Sequence, residues 1–551
     1  MKEKEKNTAE VFIEALEAEG VDTIFGIPGE ETLDLMFAIR NSRIRFIPVR
    51  HEQGAAFMAD VYGRLTGKAG VCLATLGPGA TNLVTGVADA YLDGAPLVAI
   101  TGQVSTDKMQ LTSHQYLDLT AMFQPITKRS KIVMRADMVA EFCRLAFKYA
   151  EGEKPGACHI DLPKDIAKQP CSAKALKKQP LQVDFASPER IAQAARLISE
   201  ARAPVILAGS GAVRAHAAEA VTEFARRLHI PVVNTMMAKG IIPVDDPYSM
   251  RTIGIPQRDL VNDVFEEADM VIAVGYDLVE CAPQKWNARE DMHIIHIAAM
   301  PADINKLYQP DVEVIGEIND SLYQILRIAH RTEEPLTAFA IREKIDANHA
   351  EMEDSDDFPM KPARILHDVR SVLGEEDILV SDVGAHKMWI ARHYDCYKPN
   401  TCIISNGFAS MGIAIPGAFA AKMLNPEKKV LAVTGDGGFM MNMQELETAV
   451  REKVPFVTLI WRDNSYGLIK WKEQEQFGDD CYVDFTNPDF CMLAEAMHCK
   501  GYRVSAAEEL IPILNDAFEQ TIPSVIELDV DYSENMKLSR MLSRYAEEHT
   551  G

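Results

Sequence analysis

The sequence predicts an α/β protein of three doubly wound parallel-sheet domains. Short apolar, β-branched runs break at glycine and pass into helical spacing. Residues 430–433 break at Gly435, and apolar residues then recur at helical intervals over 441–453. Residues 205–208 run into Gly209-Ser210-Gly211, with further strand-like and helix-like runs alternating behind them. A chain of 551 residues has room for about three domains, each with its own core.

The elements follow in order. Residues 8–20 form an amphipathic helix with Ala9, Phe12, Ile13, Leu16 and Ala18 on its apolar face. Residues 22–25 make a strand that enters the turn Gly26-Ile27-Pro28-Gly29. The strand over 44–49 ends at Arg50-His51-Glu52, and a helix follows over 54–65. Glu52 thus sits where a strand gives way to a helix, a usual place for a site residue in an open sheet. Taken alone it reads as an acid stabilised by a helix N-terminus. Strands at 71–75 and 97–101 follow, and residues 156–166 close the first domain, 1–168, as a strand and turn. Residues 167–188 lack periodicity and read as a linker.

The central domain, 189–335, has strands at 205–208, 232–234, 270–274, 294–297 and 312–315. Its Gly209-Ser210-Gly211 is a weak nucleotide signal, without the full glycine fingerprint or its acidic partner. Residues 331–360 read as an acidic surface connection, with a possible helix over 340–349. The third domain, 361–535, has strands at 378–381, 402–405, 430–433, from 457, and 524–530; the tail beyond Glu534 is polar.

Net charge is −24, which disfavours nucleic acid and anionic membranes as partners. An anionic substrate must therefore be met by local donors. The N-terminus is charged and then amphipathic, without the apolar core of a signal peptide, and no run is long enough to span a bilayer. Ten cysteines are scattered without a Cys-x-x-Cys pair, as in reduced cytoplasmic proteins.

The stretch from Gly435 to Tyr466 carries the strongest chemical signal. Strand, Gly435-Asp436-Gly437-Gly438, helix and strand lead to Asp463-Asn464-Ser465. A glycine turn before a helix offers backbone N–H groups to a phosphate. Asp436 and Asp463 each follow a strand, so both lie at one sheet edge. Two carboxylates beside a phosphate cradle suit Mg²⁺, a hard cation.

This stretch resembles the motif of thiamine-diphosphate enzymes. The resemblance implies that Asp436, Asp463 and the Ser465 carbonyl ligate Mg²⁺, and that Gly435, Gly437, Gly438 and Tyr466 belong to the cofactor site. The segments FGIPGE and VRHEQGAAFMADVYGRLTGKAGV resemble the family's pyrimidine-binding domain, with Pro28 and Gly29 in its cofactor-side turn. There Glu52 would hydrogen-bond N1′ of the aminopyrimidine and favour the imino tautomer that takes the proton from thiazolium C2. The first and third domains then bind pyrimidine and diphosphate, respectively.

Three further segments are similar to the acetohydroxyacid synthase branch: GPGATNLVTGVADAYLDGAPLVAITGQV, HQYLDLTAMFQPITK and NPDFCMLAEAMHCKGYRV. The likeness places a catalytic-side glutamine at Gln115 and His114 beside it in the substrate pocket. It gives Gly384 and His386 to the diphosphate. Met411 would hold the cofactor bent, and the Ala409 carbonyl would accept from its 4′-amino group. Read alone, Met411 is an ordinary core methionine and His114 a surface or packed histidine.

Three departures narrow the reading. Decarboxylases of the family place a proton-donating glutamate where this chain has Ile469. Biosynthetic synthases carry a tryptophan at the register held here by Lys472, with Trp471 one residue earlier; its loss favours pyruvate as acceptor. Their flavin-domain Met-His-Gly-Thr falls near 253–256, where this chain has no such segment, and GYDLVECAPQKWN is similar to flavin-free catabolic enzymes. FAD is therefore not expected. Against this, Glu30-Glu31 stands where catabolic enzymes carry a lysine, so the partner of the substrate carboxylate is unassigned. The expectation is decarboxylating carboligation of two pyruvates to 2-acetolactate by a homodimer or homotetramer with active sites at the subunit interface. The alternatives are a 2-oxoacid decarboxylase, another carboligase on the same fold, or a non-catalytic binding protein.

Overall fold

The computed structural model describes residues 6–109, 112–254, 260–287 and 292–535. Eighteen strands form three six-stranded, all-parallel sheets. The first holds β1 (Thr23–Gly26), β2 (Arg45–Pro48), β3 (Gly70–Ala74), β4 (Leu97–Gln103), β5 (Arg129–Ile132) and β6 (Ala157–Pro163), in the order β2-β1-β3-β4-β6-β5. The second holds β7 (Pro204–Ala208), β8 (Val232–Asn234), β9 (Ser249–Thr252), β10 (Met270–Val274), β11 (His293–Ala298) and β12 (Val312–Ile315), in the order β12-β11-β10-β7-β8-β9. The third holds β13 (Ile378–Ser381), β14 (Cys402–Ile404), β15 (Val430–Gly435), β16 (Val457–Arg462), β17 (Lys500–Arg503) and β18 (Ser524–Asp529), in the order β14-β13-β15-β16-β18-β17.

The strands are buried on both faces, which is why they read as continuous apolar runs. In the second sheet, Ile206, Ala208, Ile272 and Val274 enter one core cluster. Their neighbours Val205, Leu207, Val271 and Ala273 enter another. Period-two alternation into two cores is what a doubly wound sheet requires.

All the expected strands form, and each sheet gains one more. β5, β9 and β17 are edge strands of sequence RSKI, SMRT and KGYR. These four-residue runs are mostly polar or charged, so they carry no apolar signal, unlike the edge strands β2, β12 and β14. The surface reading of the connection 331–360 is corrected: the helix allowed over 340–349 forms and is longer, Leu336–Glu353, 18 residues. Its Ala338, Ile341 and Ile345 are buried in the second sheet's core. The helix expected over 441–453 is two, Asp436–Asn442 and Glu445–Glu452. Between Lys168 and Pro188 no helix or strand lies.

By internal packing the chain divides into two units. One comprises the described residues of Met1–Gln182, Gly407–Pro426 and Asn442–Val454; the other, those of Val183–Asn406, Glu427–Met441 and Pro455–Gly551. In the first unit, the apolar helix Ala414–Leu424 packs on Glu52–Thr66, and Phe419 meets Phe25 edge-on at 6.5 Å. Among the described residues, no helix is long and apolar enough to cross a membrane.

Candidate active site

The second unit holds the acids. β13 and β15 are neighbours, and their C-terminal ends flank the point where the strand order reverses, the usual ligand crevice of an open sheet. Asp436 begins a helix directly after β15 and is 1 % exposed. Its Oδ1 accepts from Gly437 N at 2.9 Å. Its Oδ2 accepts from Asn464 N and from Asn487 Nδ2, both at 2.7 Å. Asp463 follows β16; burial, then the charge of Asp436, pushes its carboxyl up to about 7. Burial also raises Asp436 above the ordinary carboxylate range. Two buried acids that repel each other are stabilised by a shared cation.

Glycines keep this corner open. A Cβ on Gly467 would lie 2.4 Å from Asp463 Oδ2, so no larger residue leaves that carboxylate in place. A Cβ on Gly438 would lie 3.0 Å from Asp382 Oδ1 and from Thr434 Oγ1. The Tyr466 ring lies over Gly437 and meets Phe485 edge-on at 5.0 Å. His386 lies between Gly384 and Gly435 and is 2 % exposed. Burial pushes its imidazole down to about 3, and its Nε2 has no partner. The buried Ser465 Oγ is likewise unpartnered. Orphaned polar atoms, a glycine cradle and paired acids together fit a divalent cation with a diphosphate.

Ile469, half exposed, and Lys472 lie on the helix Gly467–Phe477. Lys472 pairs with Glu475 at 3.0 Å. Trp471 is buried in the third sheet's core, so a one-residue shift would not free its ring.

The first unit holds the other carboxyl. Glu52 opens the helix Glu52–Thr66 and is buried. Its Oε2 accepts from Asn82 Nδ2 at 2.9 Å. The backbone before it is pinned: Glu445 Oε1 accepts from Arg50 N at 3.1 Å and His51 N at 3.0 Å. A single turn then separates Glu52 from Gln115. A Cβ on Gly79 would meet Glu52 Oε1 at 3.3 Å, and one on Gly77 would meet Gln115 Cβ at 2.8 Å. Gly77 has φ +56, which also demands glycine. Gln115, at φ 58, and His114 are exposed on the loop behind that turn. Gly29 packs on Thr75, whose hydroxyl donates to Glu31 at 2.8 Å. Glu30 pairs with Lys164 at 2.6 Å. The acids at the lysine's expected position therefore brace the Pro28-Gly29 turn.

Ala409 and Met411 lie on a turn held at both ends. Gly407 N donates to Asp93, and the Gly412 carbonyl accepts from Asn442 Nδ2 at 2.9 Å. Ala409 has φ 57, a strained value for a residue with a side chain. Asn82, Asn442, Glu445 and Asn487 carried no spacing signal, because each acts through contacts with residues far away in sequence that only the fold sets.

Two other clusters lie outside this corner. Glu280 fills the crevice of the second sheet, where β7 and β10 meet. Its carboxylate accepts from Ser210 N at 3.0 Å, Ser210 Oγ at 2.8 Å and Thr235 Oγ1 at 2.5 Å. Burial pushes it up to about 7. The expected flavin-segment register at 253–256 extends into 255–259, outside the described residues. His349, Glu353 and His393 bring potential ligand atoms within 4.8 Å of one another. The two imidazoles stack with centroids 4.2 Å apart, however. Burial, then Arg251, Arg392 and Lys239, holds His393 well below the ordinary histidine range, and the same influences act on His349. An added cation would face three cationic side chains, so this cluster reads as packing.

The comparisons agree with the geometry. Residues 6–127 match the N-terminal TPP binding domain of thiamine pyrophosphate enzymes, 191–325 their central domain and 382–528 their C-terminal TPP binding domain. Fold and site thus define an enzyme that uses thiamine diphosphate. A Bacillus subtilis acetolactate synthase is 36% identical over 96% of this chain and 94% of its own. A catabolic acetolactate synthase of Raoultella terrigena is 35% identical over 97% of each. The large subunit of acetolactate synthase isozyme 2 of Escherichia coli is 31% identical over 96% of each. The chain belongs to the acetolactate synthase family of thiamine pyrophosphate enzymes.

Proposed function

We propose that this enzyme joins two molecules of pyruvate into 2-acetolactate with release of CO₂, using thiamine diphosphate and Mg²⁺ without FAD. The observation that carries the reading is the Asp436–Asp463 pair around its glycine turn, in a chain similar to acetolactate synthases over nearly its whole length. The cofactor, when bound, supplies the electron sink for decarboxylation of a 2-oxoacid. Asp436, Asp463 and the Ser465 carbonyl would hold Mg²⁺. Gly435, Gly437, Gly438, Gly384 and His386 would receive the diphosphate, with Tyr466 over its edge. Glu52 holds the proton at the pyrimidine end, and Asn82 fixes one of its oxygens. Pro28, Gly29, Ala409 and Met411 shape the space for the rings. His114, Gln115 and Lys472 belong to the substrate side, where Ile469 offers no proton.

Glu280 supports the flavin-free reading, because the chain's own carboxylate takes the Ser210 N–H that a nucleotide phosphate would need. We read the enzyme as a homodimer or homotetramer in which Glu52 of one protomer serves the metal site of another. Its pyrimidine-binding, central and diphosphate-binding domains span 1–168, 189–335 and 361–535. The ten free thiols suit a reducing compartment, and we place the enzyme in the cytoplasm.

The test is incubation with pyruvate, thiamine diphosphate and Mg²⁺, without flavin. Acetolactate is the expected product. Acetaldehyde alone would establish a decarboxylase instead, and a flavin requirement would overturn the reading of Glu280.

A further inference from the structure

The first sheet carries a buried polar chain that the roles above do not use. Thr101 and Gln103 lie on β4, Ser130 on β5, and His159 and Asp161 on β6. Burial holds the His159 imidazole down at about 3, so it is neutral and has one N–H. Thr101 Oγ1 donates to Asp161 Oδ1 at 2.7 Å and lies 2.8 Å from His159 Nε2. With its only proton spent on Asp161, Thr101 must accept from Nε2–H. His159 Nδ1, 2.8 Å from Ser130 Oγ, then accepts from that hydroxyl. Every donor along the chain points toward Asp161.

Gln103 reaches the same carboxylate from the other side. Its Nε2 donates to Asp161 Oδ2 and to the Leu117 carbonyl, both at 3.1 Å. Its Oε1 accepts from Val104 N at 3.0 Å. The amide cannot flip, because Val104 N–H needs an acceptor and the Leu117 carbonyl a donor. Gln103 is 1 % exposed, whereas Leu117 is 41 % exposed and does not anchor its loop by burial. Leu117 stands two residues after Gln115, whose backbone lies against Gly77.

We propose that Gln103, aimed by Asp161, is the positioning residue that ties the His114–Gln115 loop to the sheet on the substrate side of the active site. The inference rests on the proposed substrate role of Gln115. The groups facing Asp161 are Thr101 and Gln103 on β4, His159 beside it on β6 and reaching it through Thr101, and Asp118 at the far end of the loop. Chiefly burial, aided by the Asp118 charge, pushes Asp161 up to about 7. A proton on Asp161 Oδ1 can be absorbed by reversing the Thr101–His159–Ser130 chain, but it removes the charge that strengthens the Gln103 Nε2–Oδ2 bond, so the tie weakens on the acid side.

The experiment compares Gln103→Met and Asp161→Asn with the unaltered enzyme. Gln103→Met keeps length and apolar volume but removes both the donor and the Val104 acceptor, so the thermal midpoint should fall. Its KM for pyruvate is expected to rise about tenfold, with thiamine-diphosphate affinity little changed. In the unaltered enzyme kcat/KM should fall below about pH 7, and Asp161→Asn should flatten that limb. An unchanged KM in Gln103→Met overturns the proposal, as does an acid limb in Asp161→Asn as steep as that of the unaltered enzyme, since Asp463 alone would then account for it. Hydrogen exchange of residues 112–118 in the unaltered apoprotein, corrected for intrinsic rate, covers variants that fail to fold. Protection should be lower at about pH 6 than at about pH 8, and equal protection overturns the tie. That measurement needs no substrate, so it separates failure of the tie from failure of the pyruvate reading.

Discussion

The first and third sheets share one topology and put it to opposite uses. In each, the first and third strands are neighbours and the last two are exchanged in order. In each, glycine turns leave the strands that flank the reversal of order. The third sheet loads that corner with the buried Asp436 and the half-buried Asp463, an unpartnered histidine nitrogen and glycines whose side chains would clash. On the first sheet Glu52 is held by the neutral amide of Asn82, and Glu31 by the Thr75 hydroxyl. The difference matches the proposed roles. A cation and phosphates call for charge and bare backbone, whereas a ring nitrogen calls for one aimed proton.

Substitutions on the two sides should therefore fail differently. Asp436→Ala removes a proposed cation ligand and takes from Asn464 N and Asn487 Nδ2 the carboxylate they share. Calorimetry should show Mg²⁺-dependent binding of thiamine diphosphate weakened at least about 100-fold. Retained affinity would dissolve the distinction between the sheets. Glu52→Gln should do the reverse, cutting turnover by about 100-fold or more at saturating cofactor while affinity changes little. Undiminished turnover would remove Glu52 from the chemistry. Ile469→Glu places an acid on a half-exposed helix position. The ratio of acetaldehyde to acetolactate, followed by gas chromatography, should rise about tenfold. Gly467→Ala drives a methyl against Asp463, and Mg²⁺ affinity should fall about tenfold with folding retained.

The smallest effect lies away from both corners. His349 and His393 are neutral when folded and protonate far less readily than in the unfolded chain. As pH falls below about 6.5, the unfolded state binds more protons, so stability declines with acidification. Replacing both by phenylalanine should reduce the drop in thermal midpoint between about pH 7 and about pH 5.

How much of this was legible in the sequence follows from range. Gly435-Asp436 and Asp463-Asn464 could be read because strand, turn and helix fix their neighbours locally. The central strands could be read because both their faces are buried. β5, β9 and β17 could not, since RSKI, SMRT and KGYR offer no apolar run. The helix Leu336–Glu353 carries charged residues between its buried ones, so only its stretch over 340–349 could be read and its burial could not. Asn82, Asn487 and Gln103 are single amides whose partners lie far away in sequence or on another element. No interval announces such contacts.

Glu280 gives the middle of the molecule a supply-side consequence. A domain that seals its own crevice with its own side chain can finish folding as soon as it is translated. Under the flavin-free function proposed above, output should track thiamine and magnesium, and a cell starved of riboflavin should lose none of it.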